Sequence, residues 1–250
     1  MPKLEFDSYG VIVIGRNEGE RLKQCLISVP ESRLTVYVDS GSTDGSVEWA
    51  QDHDVDVIRL DPCAGFTAAR ARNAGFAQLR TLASQLEFVQ FVDGDCELQP
   101  EWPRHAIEFL NVHKEVCAVF GRRRERYPDR SVYNWLCDRE WNVSLGEAKS
   151  CGGDVMMRVS ALAAAGGYRD DLIAGEEPEL CVRLRAAGWQ IWRIDQEMTL
   201  HDAAITTVGQ WWLRMVRSGH AFAQVSYIHG AGPERFWVWE SRREIGRAHV

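Results

Sequence analysis

Residues 88–98 read FVQFVDGDCEL. A mostly apolar run of strand length ends on two aspartates separated by one glycine, Asp93-Gly94-Asp95. In an extended chain residues two apart point the same way, so both carboxylates share a face. Such a triplet is a surface turn or a cation site, and the triplet alone does not separate the two. Its surroundings bear on the choice. Similar apolar runs occur at YGVIVIG (9–15), LTVYVD (34–39), VDVIRL (55–60) and VCAVFG (116–121). Between them lie stretches with helical spacing at 19–29, 46–53, 67–86 and 100–112. Near-continuous apolar strands interleaved with helices predict an α/β fold whose mainly parallel sheet is covered on both faces. Ligands of such sheets collect at the carboxyl ends of the strands. Functional residues are therefore expected just after Ile14, Val38 and Val92.

The second half is less regular. CGGDVMMR (151–158) reads as a strand with a glycine-rich entry, and 161–172 as a short helix stopped by Gly166-Gly167. An amphipathic helix over 177–188, a strand WQIWRI (189–194) and a long aromatic helix over 208–230 follow. A mixed second half thus follows a Rossmann-like half. The 250 residues, 45% hydrophobic and 26% charged, have an ordinary globular composition. A net charge of -7 argues against nucleic acid as a partner. The exception is GRRRERYPDR (121–130), with five arginines, which is either a solvated loop or a seat for an anionic ligand. Seven cysteines without a CxxC pair read as reduced core thiols. With no signal-peptide pattern and no apolar run of about 18 residues, the chain is expected to be soluble and cytoplasmic.

The usual phosphate cradles do not occur. GRNEGE after the first strand is neither a dinucleotide fingerprint nor a P-loop. The predicted loops instead carry carboxylates: Glu18, Asp39, Asp44, Asp93, Asp95, Glu176, Glu177 and Glu179. Without a glycine cradle, a divalent cation can bridge a diphosphate to the protein. Mg2+ or Mn2+ needs only one or two protein carboxylates beside phosphates and waters.

This set of motifs resembles the family-2 glycosyltransferases, whose fold is of the GT-A type. VIVIGRNEG echoes the family's first-strand motif, and VDSGSTDG its D-D-G-S-T-D loop. GFTAARARNAG is similar to its G-x-x-x-A-R-N-x-G stretch, DGD to its D-x-D, CGGD to its G-G-N, and EEPELCVR to its E-D-x-[DE]-L-x-x-R. The resemblance covers roughly residues 8–230, as one domain with a nucleotide-sugar half (8–121) and an acceptor half (122–230). It implies an inverting, metal-dependent transfer of a sugar from a nucleotide-diphosphate sugar to an acceptor hydroxyl, in cell-surface polysaccharide or glycolipid synthesis. Arg16, Glu18, Asp39, Ser42, Asp44, Arg72, Asn73 and Asp93 would then meet the donor. Asp95 would hold Mg2+ or Mn2+ with His201, which is otherwise a structural histidine. Gly152, Gly153, Asp154, Trp211 and Arg214 would face the acceptor; Gly152-Gly153 could equally mark a tight turn, and Trp211 a packed aromatic face. Glu177 stands at the family's base position with Glu176 as its rival, unless this acidic run only caps a helix. Pro178 at the first helical position would leave Glu177 beside the helix N-terminus, where an ionised carboxylate is favoured.

Ser40 stands where the family has a second aspartate, Glu177 where it has Asp, and Asp154 where it has Asn. A sugar-phosphate nucleotidyltransferase and a non-catalytic nucleotide-sugar-binding module are the alternatives. Residues 245–250, IGRAHV, are what a common sequencing adapter encodes before a stop codon. They are expected to be adapter-derived, with 231–244 the start of a longer C-terminal region. Through that region the full-length protein could sit on the cytoplasmic face of a membrane.

Overall fold

The computed structural model describes residues 8–30 and 33–247. Of the terminal stretch read as adapter-derived, residues 248–250 lie outside the described residues. Strands β1 (Tyr9–Gly15), β2 (Thr35–Asp39), β3 (Asp56–Arg59) and β4 (Phe88–Asp93) pair in parallel in the order β3-β2-β1-β4. Their carboxyl ends therefore share one edge, and Gly15, Asp39 and Asp93 stand there. Helices α1 (Glu20–Ser28), α2 (Ser46–Asp52) and α3 (Ala68–Leu82) connect them. Thr67 caps α3 by accepting the Arg70 N–H at 3.1 Å. Gly75 lets α3 close onto the sheet, because a Cβ there would lie 2.5 Å from Ile12 and 3.0 Å from Val38.

Past Asp93 the sheet becomes mixed. A short β5 (Cys96–Leu98) and helix α4 (Trp102–Val112) lead into β6 (Val116–Glu125). Helix α5 (Val132–Glu140) and β7 (Gly146–Ala148) follow, then β8 (Val155–Arg158), α6 (Val159–Ala164), α7 (Glu176–Ala186) and β9 (Gln190–His201). β8 inserts antiparallel between β4 and β6, and β9 pairs parallel with β6. β5 and β7 are antiparallel to β9. A long α8 (Val208–His229) and α9 (Val238–Arg247) complete the chain. One hydrophobic cluster runs from Tyr9 to Met198 through both halves. Among the described residues no helix is long and apolar enough to cross a membrane.

Gly45, with φ 82°, is the N-cap of α2, while Asp44 accepts the Ser46 N–H at 3.1 Å. Two local expectations differ from what is observed. Helix α7 starts at Glu176 after Gly175, so Pro178 lies inside the first turn rather than opening it. Its missing N–H is one of the orphan donors of that turn, and Glu177 remains at the helix N-terminus. The arginine run is not a solvated loop, since residues 121–125 belong to β6, and its side chains are paired. Arg122 pairs with Asp138, Arg123 with Asp93 and Asp154, and Arg124 with Asp138 and Glu197. Arg126 pairs with Glu97 and Arg130 with Asp202.

The buried Trp102 donates its indole N–H to the buried Gln90 Oε1 at 2.8 Å, joining α4 to β4. Trp102→Phe is expected to lower unfolding stability by about 1–3 kcal/mol in a urea titration, because it strands a buried acceptor. Adding Gln90→Leu should recover part of that loss.

Candidate active site

Two loops at the carboxyl edge are laced together. Asn17, held at φ 55°, donates its backbone N–H to Ser42 Oγ at 2.9 Å, and its side-chain oxygen accepts from Thr43 N at 2.8 Å. Asp44 accepts the Gly19 N–H at 2.8 Å. Burial opposes ionisation of Asp44, but hydrogen bonds from Ser46 and from the Gly19 N–H outweigh it and hold the carboxyl below its ordinary range. Asp39 is buried, and its carboxylate accepts from the Tyr37 hydroxyl (3.1 Å) and from the backbone N–H groups of Gly41 (2.9 Å) and Ser42 (3.0 Å). Asp39, Ser42 and Asp44 thus shape the two loops at this edge. Beside them the Arg16 guanidinium lies 5.1 Å over the Phe66 ring, which packs against Gly41. Nothing in the sequence singled out Asn17 or Phe66.

The centre of the site is Arg72, on α3. Only 2% exposed, it reaches Glu176 Oε1 at 2.8 Å, Asp93 Oδ1 at 2.9 Å and Glu177 Oε1 at 3.1 Å. Its guanidinium also lies 5.6 Å from the Tyr168 ring centre. Gly153 has no room for a side chain, since a Cβ would sit 2.5 Å from Arg72 Nη2 and 2.6 Å from the Asp93 carboxylate. The space that a substrate was expected to enter at Gly153 is filled by this ion pair. Gly152 has nothing within 4 Å of its Cβ direction and borders a cavity of about 260 Å3 together with Arg214. Asn73 turns the other way: it donates to Tyr168 O and Asp170 Oδ1, both at 2.7 Å, and accepts from Tyr168 N at 2.9 Å.

Asp93 is held from two sides, with Arg123 Nη2 at 2.9 Å from Oδ2. Burial opposes its charge, yet Arg72 and Arg123 keep its carboxyl below the usual range. Asp154 is fully buried beneath. It accepts from the Asp93 backbone N–H (2.9 Å), from Arg123 Nε (2.9 Å) and from the Thr199 hydroxyl (2.7 Å). Asp154 is therefore a support under the site rather than part of its open surface.

Asp95 Oδ2 lies 3.2 Å from His201 Nε2. Burial opposes both charges, but their mutual attraction lowers the aspartate and raises the imidazole to about 9. Glu125 faces the other ring nitrogen, Nδ1, at 3.8 Å, and Trp141 meets the imidazole edge-on at 4.6 Å. Glu125 is itself fixed by the Asn134 side chain and by the N–H groups of Tyr127 and Ala203. Ligating atoms of Asp95, Cys96 and His201 lie within 4.8 Å of one another. Cys96 is buried, which pushes its thiol well above its ordinary pKa, so it is a poor partner for a hard cation. A carboxylate and an imidazole with an orienting carboxylate behind it suit Mn2+ or Mg2+ completed by phosphate oxygens. Glu18 shares this neighbourhood: burial and then Asp95 raise its carboxyl to about 7, against the pull of Arg21 2.5 Å away.

A cleft of about 660 Å3 joins these groups, lined by Asp95, His201, Glu176, Glu177, Arg123 and Arg214 among others. Glu176 is buried against Arg72, whereas the Glu177 side chain keeps 15% of its surface accessible. Burial and the adjacent Glu176 charge raise Glu177 to about 7 despite Arg72. Arg214 pairs with Glu140 at 2.8 Å and reaches the cleft from α8. Trp211 does not border the cleft; it stacks on Tyr133 at 5.6 Å, the packed aromatic face that was the other expectation for it. Asp93, Asp95, His201, Arg72, Glu176 and Glu177 are thus brought together. Arg123, Glu125 and Tyr168 are site residues that sequence patterns did not isolate.

Known proteins resemble this chain over most of its length. Probable glucomannan 4-beta-mannosyltransferase 15 of Arabidopsis thaliana is 24% identical over 187 residues, covering 66% of this chain and 34% of that protein. Succinoglycan biosynthesis protein ExoA of Rhizobium meliloti is 25% identical over 202 residues, covering 77% of this chain and 60% of that protein. The chain therefore spans between a third and three fifths of these relatives. The mannosyltransferase PcManGT of Pyrobaculum calidifontis, solved with GDP-Man and Mn2+, superposes with a TM-score of 0.65 at 19% identity, over 97% of this chain and 70% of that one. The fold is accordingly that of the GT-A glycosyltransferases. The profile of glycosyl transferase family 2 matches residues 10–160, more than half of the sequence, and the chain belongs to that family.

Proposed function

We propose that residues 8–230 form the catalytic unit of an inverting glycosyltransferase that moves a sugar from a nucleotide-diphosphate sugar to an acceptor hydroxyl. The observation that carries the reading is one cleft holding Asp95 and His201 on one wall and Glu177 on another, tied through Arg72 and Asp93. The mannosyltransferase neighbour with GDP-Man and Mn2+ supports a nucleotide-sugar donor and a divalent cation. The polysaccharide-related names of the relatives support an acceptor in cell-surface polysaccharide or glycolipid synthesis. A donor of this kind and the free cysteines fit a cytoplasmic site of action.

Bound at Asp95 and His201, Mn2+ or Mg2+ would stabilise the negative charge of the departing nucleoside diphosphate. The chain's own residues supply the rest. The laced donor-side loops present the nucleotide's end of the cleft. Arg72 holds Asp93 and Glu177 at a fixed separation, so the donor sugar and the base keep a constant relation. Glu177 accepts the proton of the acceptor hydroxyl as that oxygen attacks the anomeric carbon; the bond to the diphosphate breaks on the opposite face, which inverts the centre. Glu176, clamped at 2.8 Å by Arg72 and more buried, raises the basicity of Glu177 rather than taking the proton itself.

Glu177→Gln is expected to lower kcat by about 10²–10⁴-fold in a sugar-transfer assay while leaving donor binding intact. A kcat unchanged by this substitution would assign the base elsewhere. Since Glu177 ionises near pH 7, the wild-type rate should climb about tenfold per pH unit below that point and level off above it. The deprotonated carboxylate is the active form, so the loss is on the acid side. Thermal-shift measurements with UDP-, GDP- and dTDP-sugars should give stabilisation that requires Mn2+ or Mg2+. Asp95→Ala should abolish the metal-dependent part.

A further inference from the structure

Arg123 has more donors than its ion pairs use. Its Nε and Nη2 lie 2.9 and 2.8 Å from Asp154 Oδ2, and Nη2 also lies 2.9 Å from Asp93 Oδ2. The remaining nitrogen, Nη1, makes no hydrogen bond among the described residues and is not an enclosed atom lacking a partner. The residue lines both the 660 Å3 cleft and the smaller cavity beside it, with Trp141 packed against its guanidinium at 5.5 Å. One edge of a fixed, permanently charged fork is therefore unpaired on a residue that lines the cleft within the Asp93–Asp95 constellation.

The charge balance gives this edge a purpose. Asp95, Glu176 and Glu177 line the cleft, and an incoming diphosphate adds further negative charge. Of the other arginines on its walls, Arg214 pairs with Glu140 through Nη2 and keeps Nη1 without a partner, and Arg217 is exposed on α8. Arg123 alone among them contacts the Asp93 carboxylate. Asp154, where the family resemblance places asparagine, holds this arginine in place: a fully buried carboxylate demands a cation, and Arg123 meets the demand with two of its three nitrogens.

We propose that Arg123 is a donor-binding residue whose Nη1 contacts the anionic diphosphate oxygens of the nucleotide-sugar, and that Asp154 is its positioning partner. The proposal rests on the glycosyltransferase reading above. A guanidinium at this place shares the leaving group's charge with the cation, and being held by Asp93 and Asp154 it needs no reorganisation to do so.

The test compares binding of Mn2+–GDP and Mn2+–UDP by calorimetry in the wild type and in Arg123→Gln/Asp154→Asn. The double variant removes both members of the pair, so no buried carboxylate is stranded, and the introduced amide oxygen can still accept from the Asp93 N–H. It should melt within a few degrees of wild type and bind the nucleotide about 10- to 100-fold more weakly, the loss of one charge-assisted hydrogen bond. Arg123→Lys provides a second reading, because an ammonium can pair with both aspartates yet has no second nitrogen to offer. It too should weaken binding, including where the double variant fails to fold. Wild-type affinity in a folded double variant, or in Arg123→Lys, overturns the proposal while leaving the function standing. A wild-type chain that binds neither nucleotide with Mn2+ overturns both.

Discussion

One buried guanidinium organises the site. Arg72 would be very costly to enclose as a lone cation. Three carboxylates from two other elements, Asp93 on β4 and Glu176 and Glu177 on α7, close around it at 2.8–3.1 Å. Without that cation, Asp93, Glu176 and Glu177 would repel one another across the same small volume. With it, β4, which carries Asp93, and α7, which carries the proposed base, are fixed relative to each other. The absence of a side chain at Gly153 follows from this, since the ion pair occupies the space.

The other charges fall into order around that centre. Asp93 is shared between Arg72 and Arg123, and Asp154 anchors Arg123 from below. Asp95 is left to face His201, whose second nitrogen looks toward Glu125. Burial raises Glu177 and Glu18 to about 7 while Asp93 and Asp95 stay well ionised, so neighbouring carboxylates differ in proton affinity according to their partners. The proposed base and the proposed cation ligand need these opposite settings. The site obtains them from one residue type by varying only what each carboxylate touches.

Much of this was legible in the sequence. Apolar runs alternating with helical spacing determined the α/β class, because a strand buried on both faces must be apolar at nearly every position. The ends of those runs located the loops that matter, since parallel strands deliver their carboxyl termini to a common edge. Asp93, Asp95, Glu176 and Glu177 were singled out because each stands in a motif whose order along the chain is itself informative, whereas His201 stands in none and was singled out by the resemblance alone. The insertion of β8 between β4 and β6 was not identifiable: strand order depends on pairings between residues some 60 to 70 positions apart, and no local pattern records them.

The sequence by itself determined the fold class, the family and the acidic residues from which a site could be built. Only the tertiary structure decided which acids shape loops and which face the cleft. Asp39 and Asp44 were read as ligand contacts; in the fold their oxygens also accept from nearby N–H groups and so shape the loops. The arginine run read as a solvated loop or a seat for an anionic ligand; in the fold each member has a carboxylate partner, and for Arg123 the partners are 30 and 31 residues away. The reason is physical. A residue's type sets which bonds it can make, but a charged group's role is set by what lies within about 3–4 Å of it, and folding brings those neighbours from distant parts of the chain.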